Sequence, residues 1–374
     1  MIDRKEIADI AKKYGSKVTI GTLGGHSALD VCRGAKDEGL ATVVVCQKGR
    51  EKTYEKYYKS RQGRGIVDNV IVVEKFSDIT NTEVQEKLRK LNTVFVHSRY
   101  FWVYCDFEKI ENEFRVPILG TRELVRKEER DEDKNQYFLL EEAGIRTPKR
   151  FGSQKEIDRL VLVKVAEAQR TYERAFFFAN SKDDYDKKAK ELLKKGSITE
   201  DALKKAVIEE FVVGAQVNFN FFYSPLTKEV ELLGTDMRRQ TNLDGILRLP
   251  ADMQLRLLES VTPKYVETGH VAVTVKESLL EKAYDAAERF VKATQKHYPP
   301  GILGAFALQG AISAEKGKEE LVVFDVSMRI PGSPGTRYTP YMNYLYGKDV
   351  SVGRRIAMEV RKAIKEKKLG EIVT

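Results

Sequence analysis

Residues 321–332 read LVVFDVSMRIPG. Four apolar residues open a buried strand, and along it Asp325, Ser327 and Arg329 stand two apart. Alternate residues of a strand point to the same face. An acid, a hydroxyl and a guanidinium therefore share one surface beside an apolar core. A second strand-like run at 305–312 (AFALQGAI) precedes it across a charged turn at 314–320. That spacing predicts a hairpin with Gln309 opposite Asp325. A carboxylate and an amide oxygen converging on one point suit Mg²⁺ or Mn²⁺, hard cations that take oxygen ligands and leave positions for water and phosphates. The plain alternative is an alternating strand with a solvated polar face.

Moving outward, residues 17–23 (KVTIGTL) read as a strand that runs into Gly24, Gly25, His26 and Ser27 and then a helix over 28–39. Two glycines let backbone amides approach a ligand, and the helix presents its positive end. Phosphate or carboxylate fits such a turn, with His26 and Ser27 as side-chain donors; a tight strand-to-helix turn is the alternative. Strands at 41–46, 69–73, 93–97 and 116–120, with a helix at 81–91, complete a parallel α/β unit. The polar cluster His97, Ser98, Arg99 and Tyr100 falls at the carboxyl end of a strand, where open α/β sheets bind ligands. His270 and His297 have no metal-ligand neighbours at useful spacing and read as surface or loop residues.

The middle of the chain differs. Lys134 opens a helix (KNQYFLLEEAG), and residues 160–165 (LVLVKV) form a strand with Lys164 inside it. An ammonium in an apolar strand is costly without an anion; a snorkelling lysine on an edge strand is the alternative. A returning strand at 175–179 and a Lys-rich helix at 182–195 follow. The run 207–213 (VIEEFVV) can then offer an adenine its backbone amide and carbonyl, with Glu209 or Glu210 nearby.

Composition bounds the function. With 374 residues, two or three subdomains are expected, and 42% hydrophobic content supports well-packed cores. No apolar run approaches the roughly 20 residues that span a bilayer. The N-terminal helix carries acids among its bases, unlike a secretory signal. Three widely spaced cysteines fit neither a disulfide framework nor a zinc site. Net charge is +9, but lysines interleave with glutamates, as in EKTYEKYYK at 51–59, so solvated helices are expected over a nucleic-acid stripe. These features place the chain in the cytoplasm, with small-molecule substrates and with neither nucleic acid nor membrane as partner.

The order of these pieces resembles the ATP-grasp superfamily. More narrowly, it is similar to the archaeal purine-biosynthesis family that formylates aminoimidazole-carboxamide ribotide with formate and ATP. TIGTLGGHSALDV, EEFVVG, FYSPLTKEVELLGTDMR, TNLDG and VVFDVSMR carry the likeness over nearly the full length. The resemblance implies an N-terminal parallel-sheet domain over 1–122, which binds the ribotide. A two-lobed α+β ATP-grasp domain over 123–374 follows, its nucleotide lobe at about 150–215. It implies that Lys134 and Lys164 contact ATP phosphates, that Glu209, Glu210, Phe211 and Val212 hold the adenine, and that Gln216 lies near the ribose. Gln309 and Asp325 then hold the metal, Arg329 faces the transferred phosphoryl group, and Gly25, His26, Ser27, Ser98 and Asn242 meet the ribotide. The nucleotide is expected between VLVKV and EEFVVG, and a homo-oligomer is expected. One departure stands out: no glycine occurs between Gly152 and Gly196, where the family carries a flexible glycine-rich loop. Arg170 and Arg174 offer guanidinium contacts in its place. A paralogue with another acceptor, or a nucleotide-binding regulator with a decayed loop, are the readings this departure favours.

Overall fold

A computed structural model of the chain describes residues 1–165, 176–261, 263–314, 317–332 and 334–374. Strands β1 (Thr19–Leu23), β2 (Ala41–Gln47), β3 (Asn69–Val73), β4 (Thr93–Val96) and β5 (Ile118–Leu119) form a parallel sheet in the order β3-β2-β1-β4-β5. β5 keeps only two residues because the chain's last residues occupy its outer edge. There Leu119 bridges Val373, and the Ile118 and Thr374 backbones exchange hydrogen bonds. Arg122 locks this corner by donating to the carbonyls of Ile110, Phe114, Val116 and Thr374.

A small antiparallel sheet, β6-β9-β7-β8, follows: β6 (Arg150–Phe151), β7 (Val161–Lys164), β8 (Phe176–Ala179) and β9 (Val207–Glu210). β7 and β9 are hydrogen-bonded neighbours, with Val161 facing Glu210 and Lys164 facing Val207. No ligand can lie between these paired strands, so the expected nucleotide position between the two segments does not hold as stated.

The third sheet is antiparallel, in the order β12-β11-β10-β13-β14. Its strands are β10 (Ala215–Ser224), β11 (Glu229–Gln240), β12 (Glu267–Ala272), β13 (Gly304–Ser313) and β14 (Glu320–Ser327). Gln309 stands opposite Asp325, as the two-residue period predicts. Beyond that pair Gly310 faces Val323, so Phe324 is an extra residue, a bulge that turns local backbone away from the ladder.

The helix Glu277–His297 buries Ala283, Ala286, Ala287, Phe290 and Val291, apolar at helical spacing, against Phe221, Phe306 and Leu308 of this sheet. The helices Ala28–Asp37 and Val352–Lys365 cross where both backbones carry glycine. A Cβ on Gly34 would stand 2.1 Å from the Arg354 amide nitrogen, and one on Gly353 2.2 Å from the Asp30 carbonyl oxygen. One apolar core joins Ile7 and Val31 to Phe222, Ile356 and Val360, so it runs across the 122/123 division. No described helix is long and apolar enough to cross a membrane.

Candidate active site

A cleft of about 470 Å³ opens where the three sheets meet. The parallel sheet supplies His26, Ser27, Ser98, Arg99 and Tyr100 from the carboxyl ends of β1 and β4, the small sheet supplies Lys164, and β10 to β14 supply the rest of the floor. Asn218 and Asn220, Asp236 and Arg238, Ala307 and Gln309, and Asp325 and Ser327 stand two apart on their strands, so the pleat turns each pair toward the cleft, and Arg329 follows just past the end of β14.

Lys164 is 8% exposed, and the anion its strand demands is Glu209, with which it forms an ion pair. It also donates to the Phe324 carbonyl at the bulge (3.0 Å) and to Tyr137 Oη (3.4 Å). Burial depresses the Lys164 pKa and Glu209 opposes that shift. Tyr137 Oη in turn donates to Glu209 (3.0 Å). Arg329 lies 3.4 Å from Glu128, whose other oxygen accepts from the Met328 amide. Burial raises the Glu128 carboxyl above its usual range, and the Arg329 charge resists.

Two guanidinium Nε–H groups, those of Arg130 and Arg329, are buried here without a hydrogen-bond partner among the described residues, as is Ser98 Oγ, and the Arg238 Nε faces the Glu267 carboxylate at 3.3 Å. All four residues line the cleft. Buried donors are otherwise almost always paired, so this set is arranged for an anionic guest.

The far end holds a charged cluster. His270 Nδ1 meets Asp236, and its Nε2 lies 2.8 Å from Glu267. Asp236 is itself fixed by Asn218 (3.0 Å) and Asn220 (2.6 Å), and Arg238 Nε lies 3.3 Å from Glu267. Burial opposes the charge on His270, but the two carboxylates outweigh it and push its pKa up to about 9. Burial likewise works against Glu267, yet His270 and Arg238 hold it down at about 2. A folded pKa above the free-imidazole value stabilises the protein fully below pH ~6.5, and that stabilisation is lost as pH rises through about 9. The gap in unfolding free energy between wild type and His270→Gln is therefore expected to narrow by up to about 3 kcal/mol across that window. Denaturant titrations at a series of pH values measure it, and a constant gap would mean a neutral imidazole.

Of the residues anticipated from the sequence, the cleft gathers His26, Ser27, Ser98, Lys164, Gln309, Asp325 and Arg329. The others stand elsewhere, each for a local reason. Lys134 does not open the helix: it is exposed, in the left-handed region (φ 46°), two residues ahead of Gln136–Glu142, and Arg130 reaches the cleft instead. Glu209 turns into Lys164, and Glu210 pairs with Arg159 (3.1 Å). The Phe211 amide is committed to the Leu160 carbonyl and its ring packs edge-on against Phe178. Val212 and Gln216 do not line the cleft. Gly25 is a packing glycine, since the Tyr100 ring lies 3.1 Å from where its Cβ would be. Asn242 holds a loop by accepting from the Lys264 amide (2.6 Å). Gln309 is in the cleft, where its amide oxygen accepts from Arg238, with one lone pair left over, and its Nε2 donates to Ser327 (2.7 Å). His270, expected at the surface, lies in β12 facing the cleft. Arg170 and Arg174 lie outside the described residues. Arg130, Arg238, Asp236 and Glu267 escaped the sequence reading, although Asp236 and Arg238 repeat the two-residue polar spacing of β14.

The geometry has close relatives. Two family models match, each a domain or protein of unknown function: DUF1246 over residues 20–151 and DUF1297 over residues 184–374. The chain is 40% identical to the 5-formaminoimidazole-4-carboxamide-1-(beta)-D-ribofuranosyl 5'-monophosphate synthetase of Methanothermobacter thermautotrophicus, covering 100% of this chain and 99% of that one. It is 39% identical to the enzyme of the same name from Methanocaldococcus jannaschii, with all of both chains covered. Among solved structures, an IMP biosynthesis protein PurP from Thermococcus kodakaraensis superposes with a TM-score of 0.70 at 27% identity, covering 95% of this chain and 100% of that one. An N5-carboxyaminoimidazole ribonucleotide synthetase in complex with ADP shares the fold at a TM-score of 0.59 and 12% identity, over 86% of this chain and 72% of that one.

Proposed function

The chain belongs to the 5-formaminoimidazole-4-carboxamide ribofuranosyl-monophosphate synthetase family, and from that premise we propose that it joins formate to the amine of aminoimidazole-carboxamide ribotide at the expense of ATP. It is an ATP-dependent ligase of purine biosynthesis, working in the cytoplasm as a homo-oligomer, with residues 1–122 as the acceptor-binding unit and 123–374 as the nucleotide-binding unit. The observation that carries the reading is the set of buried donors on Arg130, Arg329 and Ser98 that have no partner among the described residues and share a single cleft.

Phosphoryl transfer asks a protein for positioning and charge neutralisation more than for covalent chemistry. Lys164, Arg130 and Arg329 neutralise the phosphates, with the adenine beyond Lys164 toward Glu209, Glu210, Phe211 and Val212. Arg329 faces the group in flight to the formate oxygen. Ser98, Ser27 and His26 receive the ribotide at the carboxyl ends of β1 and β4. Mg²⁺ fits the donor set only in part: Asp325 offers a carboxylate in the cleft with Glu128, the Gln309 oxygen opposite it already accepts from Arg238, and phosphate oxygens must complete the shell. Bound there, the ion would offset the charge of the nucleotide phosphates. Asp325→Ala is accordingly expected to abolish the Mg²⁺ dependence of ATP binding in calorimetry. Equal ATP affinity with and without chelator in the wild type would rule the site out.

A second reading keeps the chemistry and changes the acceptor. It is favoured by the wall that Tyr100, Trp102, Tyr104 and Phe107 build along the cleft. ADP release measured with formate and aminoimidazole-carboxamide ribotide, then with other amines and acids, tests both. Release with the ribotide supports the first reading, and release only with another amine the second. Silence across the panel would leave nucleotide binding without ligation.

A further inference from the structure

We propose that His26 accepts the proton released when the acceptor amine attacks the acyl phosphate, and that Asp236, His270 and Glu267 position and hold it for that task. This rests on the ligase reading above and assigns a catalytic group to it. We assign the tautomer of the ring from its hydrogen-bond pattern. Ser27 Oγ has one hydrogen, which it donates to the Pro331 carbonyl (3.3 Å). Toward His26 Nδ1, 3.4 Å away, that oxygen then offers a lone pair, and in the tautomer assigned on that basis Nδ1 carries the hydrogen and Nε2 is the basic nitrogen. The ring lines the cleft beside Ser98.

The neighbours decide what that nitrogen can do. His26 and His270 have ring centroids 5.5 Å apart, and ligand atoms of His26, Glu267 and His270 lie within 4.8 Å of one another. Such a trio resembles a metal site, but both nitrogens of His270 point at carboxylates. His270 is a clamped imidazolium with no lone pair to give, and a cation beside His26 disfavours a second one. Burial holds His26 below the usual imidazole range; Glu267 and Asp236 pull it up, while His270 and Arg329 push it down. Two histidines in contact are thus driven to opposite protonation states, which is how enzymes separate a base from a charged group.

In the step itself the amine lone pair forms the new bond to the formyl carbon. The carbon–oxygen bond to phosphate breaks, and its electron pair leaves with the phosphate. The proton shed by the nitrogen passes to His26 Nε2 and then to solvent. His270 touches none of the reacting atoms.

The test separates acyl-phosphate formation from transfer. Wild-type enzyme with ATP and formate is assayed for hydroxylamine-trapped formyl groups and, separately, for formylation of the ribotide amine. Absence of trapping in the wild type overturns the ligase reading and this inference with it. With trapping present, His26→Gln is expected to lower the ratio of transfer to trapping by at least about 100-fold, the usual worth of a general base. An unchanged ratio overturns the proposal while leaving the ligase intact, since the departing phosphate would then be taking the proton. His270→Gln removes the neighbouring cation, so the acid limb of the transfer profile should move to higher pH, and His270→Lys should return it. A limb that stays put in His270→Gln overturns the positioning role. Thermal melts of each variant confirm that the profiles come from folded protein.

Discussion

Lys164→Met is expected to lower ADP release by about two to three orders of magnitude, the usual cost of deleting one charge aimed at a transferring group. The same substitution should destabilise the protein, because it takes the ion-pair partner from the Glu209 carboxylate, 2% exposed, and leaves it Tyr137 Oη at 3.0 Å as its hydrogen-bond donor among the described residues. Breaking a buried pair from one side costs about 3–5 kcal/mol, more than the intact pair contributes over an apolar substitute. The two effects separate in a double variant. Lys164→Met with Glu209→Gln removes both charges and keeps a partner for Tyr137, so its denaturation midpoint should return most of the way to wild type while turnover stays low. Recovery of turnover along with stability would show that Lys164 serves the fold alone. The bulge at Phe324 argues for the functional role, since it gives Lys164 a carbonyl at 3.0 Å and so ties β7 to the strand that carries Asp325.

How much of this was legible follows the range of the interactions. The β13–β14 hairpin was readable because two strands, a short turn and a two-residue period determine register locally, and Gln309 fell opposite Asp325. Parallel β1 to β4 were readable from apolar runs separated by helical patterns, and they placed His26 and Ser98 where such sheets bind ligands. Lys134 misled because the segment around it is dense in charge. Which charge faces inward depends on the turn ahead of the helix, where Lys134 adopts φ 46° and Arg130 is turned in. The ion pair of Glu209 was hidden for a related reason: Lys164 needed a counter-ion, and only the β7–β9 pairing shows that Glu209 stands on its face of the sheet. His270 could not be read at all from its own neighbourhood. Its second carboxylate, Asp236, is 34 residues away and meets it only because β11 and β12 pair. Gln309 was placed correctly, but its hydrogen bond from Arg238, 71 residues distant, could not be read from the sequence.

Arg355→Met is expected to be the most destabilising single change away from the cleft. Arg355, 4% exposed, donates twice to Glu231 (2.6 and 2.8 Å) and once to Glu359 (2.9 Å), and lies over the Phe222 ring at 4.1 Å. Glu359 also accepts from Ser224 (2.7 Å) and Glu231 from Tyr346 (2.9 Å). Burial opposes the Arg355 charge, yet Glu231 above all raises its pKa overall. Removing the cation leaves two buried carboxylates facing each other, so the loss should reach or exceed the 3–5 kcal/mol typical of one broken buried pair. Adding Glu231→Gln and Glu359→Gln should recover most of it, because hydrogen-bonding capacity remains and no net charge is buried. Catalysis should not follow stability here. Along one face of β10, Asn218 and Asn220 line the cleft, Phe222 sits in the core, and Ser224 meets this network. The apolar side chain between the two polar sets keeps them from sharing a partner, and sites without shared partners contribute independently. Turnover per folded molecule in the triple variant should therefore match wild type. A drop in turnover with stability restored would instead mean that the helix Val352–Lys365, which the network seats on the sheet, sets the shape of the cleft as well.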